Sequence, residues 1–178
     1  MHTDVIVLNG GSSAGKSTIA NSLQALLTEP WLTLGVDNLI DALGPAGAGS
    51  SSVIAFSADG MVSTGALFRQ VENAWNQGLA AIARSGTGVI IDDVFLGGAA
   101  SQSRLSSALS DLKVLWVGVH CDPEIASSRE LSRTNRVTGM ARTQSSIVHE
   151  GVSYDIEVDT SDMSALECAH VILRGMNL

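Results

Sequence analysis

The chain has 178 residues, of which 45% are hydrophobic, 16% charged and 4% aromatic, and 18 acids against 10 bases leave a formal net charge of −8. That length predicts one domain over residues 1–178, with a core that needs no disulfide or structural metal. The acidic balance argues against a nucleic-acid coat or an anionic membrane surface as partner, and no apolar run reaches the ~18 residues of a membrane span.

Cys121 and Cys168 lack any CxxC or ligand spacing. The N-terminus carries no basic signal region. Both point to a cytoplasmic protein with reduced thiols. Only two of the bases are Lys, Lys16 and Lys113, and four of the eight Arg fall between Arg129 and Arg142.

In chain order, Val5 to Leu8 is the first predicted strand and Lys16 to Leu27 the helix after it. Trp31 to Val36 is the second strand, followed by a short helix, Asn38 to Leu43. Gly44 to Ser52 reads as a surface loop. Leu67 to Arg84 carries a helical apolar stripe (Phe68, Val71, Trp75, Leu79, Ile82), with Gly86 suited to its C-terminal cap. Gly88 to Asp92 is the third strand and Ala99 to Leu109 the next helix. Val114 to Val119 is the fourth strand. Pro123 to Arg133 is a helix entered through Asp122 and a proline at its first turn. Tyr154 to Val158 is the fifth strand, and Asp162 to Arg174 closes the chain. The strands are continuously apolar, as in parallel strands covered on both faces, and they alternate with helices. The fold class is α/β: a five-stranded parallel sheet flanked by helices on both faces.

After the first strand, Gly10-Gly11-Ser12-Ser13-Ala14-Gly15-Lys16-Ser17 matches G-x-x-x-x-G-K-[ST] in full, in the strand–loop–helix context the motif requires. Glycines let successive N–H groups curl toward phosphate oxygens, and the helix N-terminus adds its dipole. Gly10, Gly11, Ser12, Ser13, Ala14, Gly15, Lys16, Ser17 and Thr18 are therefore the expected nucleotide-binding run. Lys16 would bridge β- and γ-phosphates, and Ser17 would ligate Mg²⁺. The guanine-reading N-K-x-D is absent, which makes ATP the expected nucleotide.

Ligands of parallel sheets bind beyond the carboxyl ends of the strands. Asp37 follows the second strand, and Asp92 and Asp93 end the third. Asp37 is the candidate base for an acceptor hydroxyl, its competing role being a helix N-cap. Alternation along a strand turns one of the other pair toward the site, and Asp92 is taken as the Mg²⁺ carboxylate. Arg129, Arg133 and Arg136 share one helical face. A solvated face is the plain alternative. In a chain this poor in cations they suggest a lid over residues 126–145, with Arg133 and Arg136 meeting transferring phosphate and Thr134 to Gly139 turning a helical hairpin. His120, His149 and His170 show no partner at ligand spacing, and the three tryptophans are expected in the core. Asp159-Thr160-Ser161 either contacts a purine or, through Ser161, caps the last helix.

These residues resemble the chloramphenicol phosphotransferases, small P-loop kinases related to shikimate, gluconate and adenylylsulfate kinases. The resemblance is carried by Leu8 to Ser17, Gly35-Val36-Asp37, Ile90 to Gly98 (Ile-Ile-Asp-Asp-Val-Phe-Leu-Gly-Gly), Leu115 to Val119, Val148 to Val152 and Glu157 to Thr160. It implies ATP- and Mg²⁺-dependent phosphorylation, and so inactivation, of a hydroxylated antibiotic: chloramphenicol or another, including nucleoside types. It implies Asp37 as general base and Arg133 and Arg136 as lid residues. The competing readings are a regulatory or toxin-like nucleotide-binding ATPase and a metabolic kinase of the shikimate or gluconate type.

Overall fold

The computed structural model describes residues 3–47, 53–57, 61–132 and 139–176. Its elements are β1 (Val5–Asn9), α1 (Lys16–Leu26), β2 (Trp31–Gly35), α2 (Val36–Gly47), β3 (Ile54–Phe56), β4 (Val62–Thr64), α3 (Ala66–Arg84), β5 (Gly88–Asp93), α4 (Ala99–Ala108), β6 (Val114–His120), α5 (Pro123–Leu131), α6 (Met140–Ile147), β7 (Ile156–Asp159) and α7 (Ala165–Gly175). Five strands form one parallel sheet in the order β2-β5-β1-β6-β7. The chain fills one side of β1 and then crosses to the other, so the loop after β1 opens at the topological switch point.

Alternation along β1 builds both core layers. Ile6 and Leu8 pack with Ile90, Val117 and the inner faces of α1 and α7. Val5 and Val7 pack with Val89, Ile91, Phe95 and the inner faces of α3 and α4. These four β1 side chains are fully buried. A third cluster, Leu39, Val53, Ile54 and Phe68, lies under α2 and the β3–β4 hairpin.

Several boundaries differ from those predicted. β2 stops at Gly35, whose Cα lies so close to β5 that a Cβ there would stand 2.2 Å from the Asp92 carbonyl oxygen. Val36 and Asp37 thus belong to α2, not to the strand end. α2 continues past Leu43 to Gly47 by kinking at Gly44 (φ 61°), a conformation open to glycine. The antiparallel β3–β4 hairpin was not predicted; two three-residue strands are too short to show a period. Tyr154 precedes β7, and its ring covers Gly118. α7 is capped by Ser164 in a capping box with Glu167, not by Ser161, whose hydroxyl accepts from the Asp122 amide. Asp122 caps α5 through the amides of Glu124 and Ile125, and Pro123 occupies its first turn. α5 ends at Leu131, and the proposed turn at residues 133–138, with Arg133 and Arg136, lies outside the described residues. The tryptophans are only partly buried, each against a core cluster. Both cysteines are free, and no described helix is long and apolar enough to cross a membrane.

Candidate active site

The loop from Gly10 to Gly15 wraps the N-terminus of α1 with two left-handed residues, Ser13 (φ 60°) and Gly15 (φ 93°). Gly10 is held against β6, where a Cβ would stand 2.4 Å from the Val119 carbonyl oxygen. Lys16 is 7% exposed. Its Nζ donates to the Gly10 and Gly11 carbonyl oxygens (2.9 and 3.0 Å) and lies 3.7 Å from Asp92 Oδ1. Ser17 Oγ donates to Asp92 Oδ2 at 2.7 Å. The buried hydroxyls of Ser12 and Ser13 have no hydrogen-bond partner among the described residues. A loop with a retracted lysine and unused buried donors fits a phosphate chain, which would take both the hydroxyls and the ammonium. The convergent Ser17 and Asp92 oxygens fit a hard divalent cation.

Of the two strand-end acids, Asp92 faces Lys16 and Ser17. Asp93 also borders the site but accepts from the Val94 amide (2.7 Å). Burial pushes its carboxyl up to about 6; the Val94 amide opposes this, and the nearby charges of Glu72 and Asp92 add to it.

A cavity of about 660 Å³ opens from this loop beneath α2 and α3. One wall is apolar, with Val36, Ile40, Ile54, Val62 and Phe68. Asp37, in the first turn of α2, lines it together with Lys16, Ser17 and Asp92. Glu72 is held by Arg69 (3.0 Å) and Arg104 (3.1 Å), which fixes the far side.

The base of the proposed lid is stapled. Glu130, 4% exposed on α5, accepts from the amides of Gly139 (2.8 Å) and Ala141 (2.9 Å) at the start of α6. Arg129 is committed elsewhere: its guanidinium donates to Thr160 Oγ1 (3.0 Å) and the Thr160 carbonyl (2.8 Å), while Thr160 Oγ1 donates to the Ala14 carbonyl (2.8 Å). Thr160 thereby links α5 to the phosphate loop. The loop 159–161, considered above for a purine contact, carries this structural tie.

A family model described as chloramphenicol phosphotransferase-like protein matches residues 3–177. The chain belongs to that family. Proteins of Mycobacterium tuberculosis strains CDC 1551 and H37Rv, each named "Putative O-phosphotransferase", are 32% identical to it over 93% of this chain and 78% of their own length. Among solved structures, a Janibacter sugar kinase matches with a TM-score of 0.74 at 16% identity, covering 98% of this chain and 95% of its own. The Deinococcus radiodurans tunicamycin resistance protein matches with a TM-score of 0.69 at 20% identity, covering 99% and 97%. The sugar kinase places the fold among P-loop kinases. The enzyme is a small-molecule O-phosphotransferase.

In this phosphotransferase, sequence reasoning passed over three groups. Gln144 on α6 is 3% exposed, and its Oε1 accepts from the Ser12 amide at 2.8 Å. Asn9, 1% exposed, donates to the Val148 carbonyl (2.8 Å) and Tyr154 Oη (2.6 Å) and accepts from the Phe95 amide (2.9 Å). It locks the end of β1 to the end of α6. His120 and His149, which show no partner at ligand spacing in the sequence, stack with ring centroids 4.1 Å apart. His120 Nε2 contacts Glu157 (2.7 Å), and His149 Nδ1 contacts Tyr154 Oη (2.6 Å). Burial and the His120 charge hold His149 down at about 4, and burial pushes Tyr154 up to about 12. Their long separations in sequence left no local signal.

Proposed function

We propose that the enzyme transfers the γ-phosphoryl group of ATP to a hydroxyl of a small antibiotic and so inactivates it. The observation that carries this reading is the cavity that joins the phosphate loop to Asp37 and an apolar wall. Its charged lining also speaks to the acceptor. Asp37, Asp41, Glu72, Asp92 and Asp93 face Lys16 and Arg69 among the described residues. Such a lining repels carboxylate or sulfate acceptors and suits an uncharged or cationic, partly apolar one. This favours an antibiotic over an anionic metabolite of the shikimate or gluconate type.

Asp37 orients the acceptor hydroxyl and takes its proton as the oxygen attacks the γ-phosphorus. The new bond is acceptor O–P; the bond that breaks joins the γ-phosphorus to the β–γ bridging oxygen, and ADP leaves. Lys16 leaves its loop carbonyls and follows the β- and γ-oxygens. Ser17 and Asp92 would hold Mg²⁺, which offsets phosphate charge when bound. Arg133 and Arg136 close from the lid, which spans about residues 126–145 of the single domain 1–178, and stabilise charge on the transferring group. Thr18 Oγ1 and the loop amides bind the remaining phosphates. Free thiols suit a cytoplasmic setting.

The test is a panel of hydroxylated antibiotics incubated with ATP and Mg²⁺ and scored by mass spectrometry. The expected result is a gain of roughly 80 Da on one compound, the mass of one phosphoryl group. ADP release with every compound unmodified would favour a regulatory ATPase instead.

A further inference from the structure

α6 carries a buried amide at the mouth of the phosphate loop to which no step above gives work. The helix is pinned at both ends. Glu130 binds the amides of Gly139 and Ala141 at its start, and Asn9 binds the Val148 carbonyl at its end. Between those pins its backbone packs against the loop: a Cβ on Gly11 would stand in van der Waals contact with the Gln144 backbone and Cβ, at 3.4 Å. Gln144 is therefore held beside the loop from both ends of its helix.

Its chemistry is directional. The Ser12 N–H is a donor, so the atom that meets it at 2.8 Å is the carbonyl oxygen of the side chain. The NH₂ group of the same amide then points away from that contact. Gln144 is 97% buried and lines the cavity, and the Oε1 contact leaves its NH₂ group to that side. Lys16 Nζ sits on the Gly10 and Gly11 carbonyls in the same corner. In a P-loop, that lysine marks the β- and γ-phosphates.

We propose that Gln144 is a phosphoryl-contacting residue: anchored through Oε1 to the Ser12 amide, it donates from Nε2 to an oxygen of the γ-phosphoryl group. The inference rests on the phosphotransfer reading but goes beyond the loop, the base and the lid arginines. A neutral donor fixed in advance stabilises charge spread over the equatorial oxygens without reorganising as the reaction proceeds. It also couples the lid to the nucleotide, because α6 is the arm joined to α5 by Glu130.

The test compares wild type, Gln144→Ala and Gln144→Glu. Binding of ADP and of a non-hydrolysable ATP analogue is measured by calorimetry, and kcat is measured on whichever acceptor the panel identifies. Gln144→Ala should weaken the ATP analogue roughly tenfold, as for one lost charge-assisted hydrogen bond, and leave ADP within twofold. Its kcat should fall roughly 10²-fold, the scale of removing one preorganised donor. Gln144→Glu keeps an acceptor for the Ser12 amide but replaces the donor by a negative charge, so it should discriminate against the ATP analogue more strongly than Gln144→Ala does. Equal losses for ADP and the ATP analogue, or an unchanged analogue-to-ADP ratio in both variants, would overturn the proposal and make Gln144 a structural plug. The binding measurement needs no acceptor. A γ-specific loss with no antibiotic modified would therefore sustain this contact while the acceptor reading fails.

Discussion

Asp37 stands in the first turn of α2, where a carboxylate is favourable whatever its chemistry, because it faces the helix N-terminal dipole. That contribution is small, about 0.3–1 kcal/mol, and Asn replaces most of the local geometry. Asp37→Asn should therefore lose phosphoryl transfer while its Tm stays close to wild type and its ATP affinity within a few-fold. Measured turnover near wild type would remove Asp37 from the chemistry and leave it as a helix-end residue. The neighbouring carboxylates divide by environment. Asp92 is engaged by a hydroxyl and an ammonium, whereas Asp93 is enclosed among other acids and is pushed up to about 6. Two adjacent acids thus take different parts although both line the cavity, because their hydrogen-bond partners differ.

The packed pair α5 and α6 carries the proposed lid and touches the loop. Arg142 and Glu124 pair across it at 2.6 Å, but both are 71% exposed, so that bridge contributes little. Glu130 is the member that matters. It satisfies two amides at the start of α6 from a nearly closed site, and truncation leaves both without an acceptor. Glu130→Ala should cost about 2–3 kcal/mol in urea unfolding, on the scale of lost hydrogen bonds to a buried charge. It should also speed hydrogen exchange across residues 139–147 more than across β1; uniform exchange would show that the staple does not define the arm. Catalysis tests the other arm. Arg136→Ala should reduce kcat by about 10²-fold or more with little change in Tm, since an arginine on transferring phosphate acts mainly in the transition state. An unchanged kcat would return the arginine stripe to a solvated face. Arg129 is different in kind: bound to Thr160, it holds the hairpin to the phosphate loop.

Across the whole molecule, two partly buried titrating groups oppose each other with pH. Asp93 has a folded pKa raised from 3.8 to about 6, so the native state binds more protons than the unfolded chain between those values and stability falls as pH rises. His149 is lowered from 6.5 to about 4, so the unfolded chain binds more protons and stability rises with pH through nearly the same window. Relative to wild type, Asp93→Asn should steepen the gain in Tm from pH 4 to 6.5, and His149→Gln should flatten or reverse it. Parallel Tm profiles for all three proteins would show that neither group titrates as its burial requires. How much of this architecture was legible beforehand follows one rule, separation along the chain. The P-loop was readable because strand, loop and helix are contiguous, and the parallel sheet because continuously apolar strands alternate with helices. Asp37 and Asp92 were readable as acids at strand ends, although the sequence could not show that Asp37 had passed into a helix. The β3–β4 hairpin was too short for a period. Glu130, Gln144, Asn9 and the stacked histidines carry no local signature, because each acts on a backbone or a ring remote in sequence. By itself, then, the sequence determined the nucleotide loop, the fold class and the family, all properties of contiguous residues and their periodicity. The tertiary structure alone decided which acid meets Lys16, which arginine is spent on Thr160 and how α6 lies on the loop, because close approach between distant segments depends on how the sheet and helices pack.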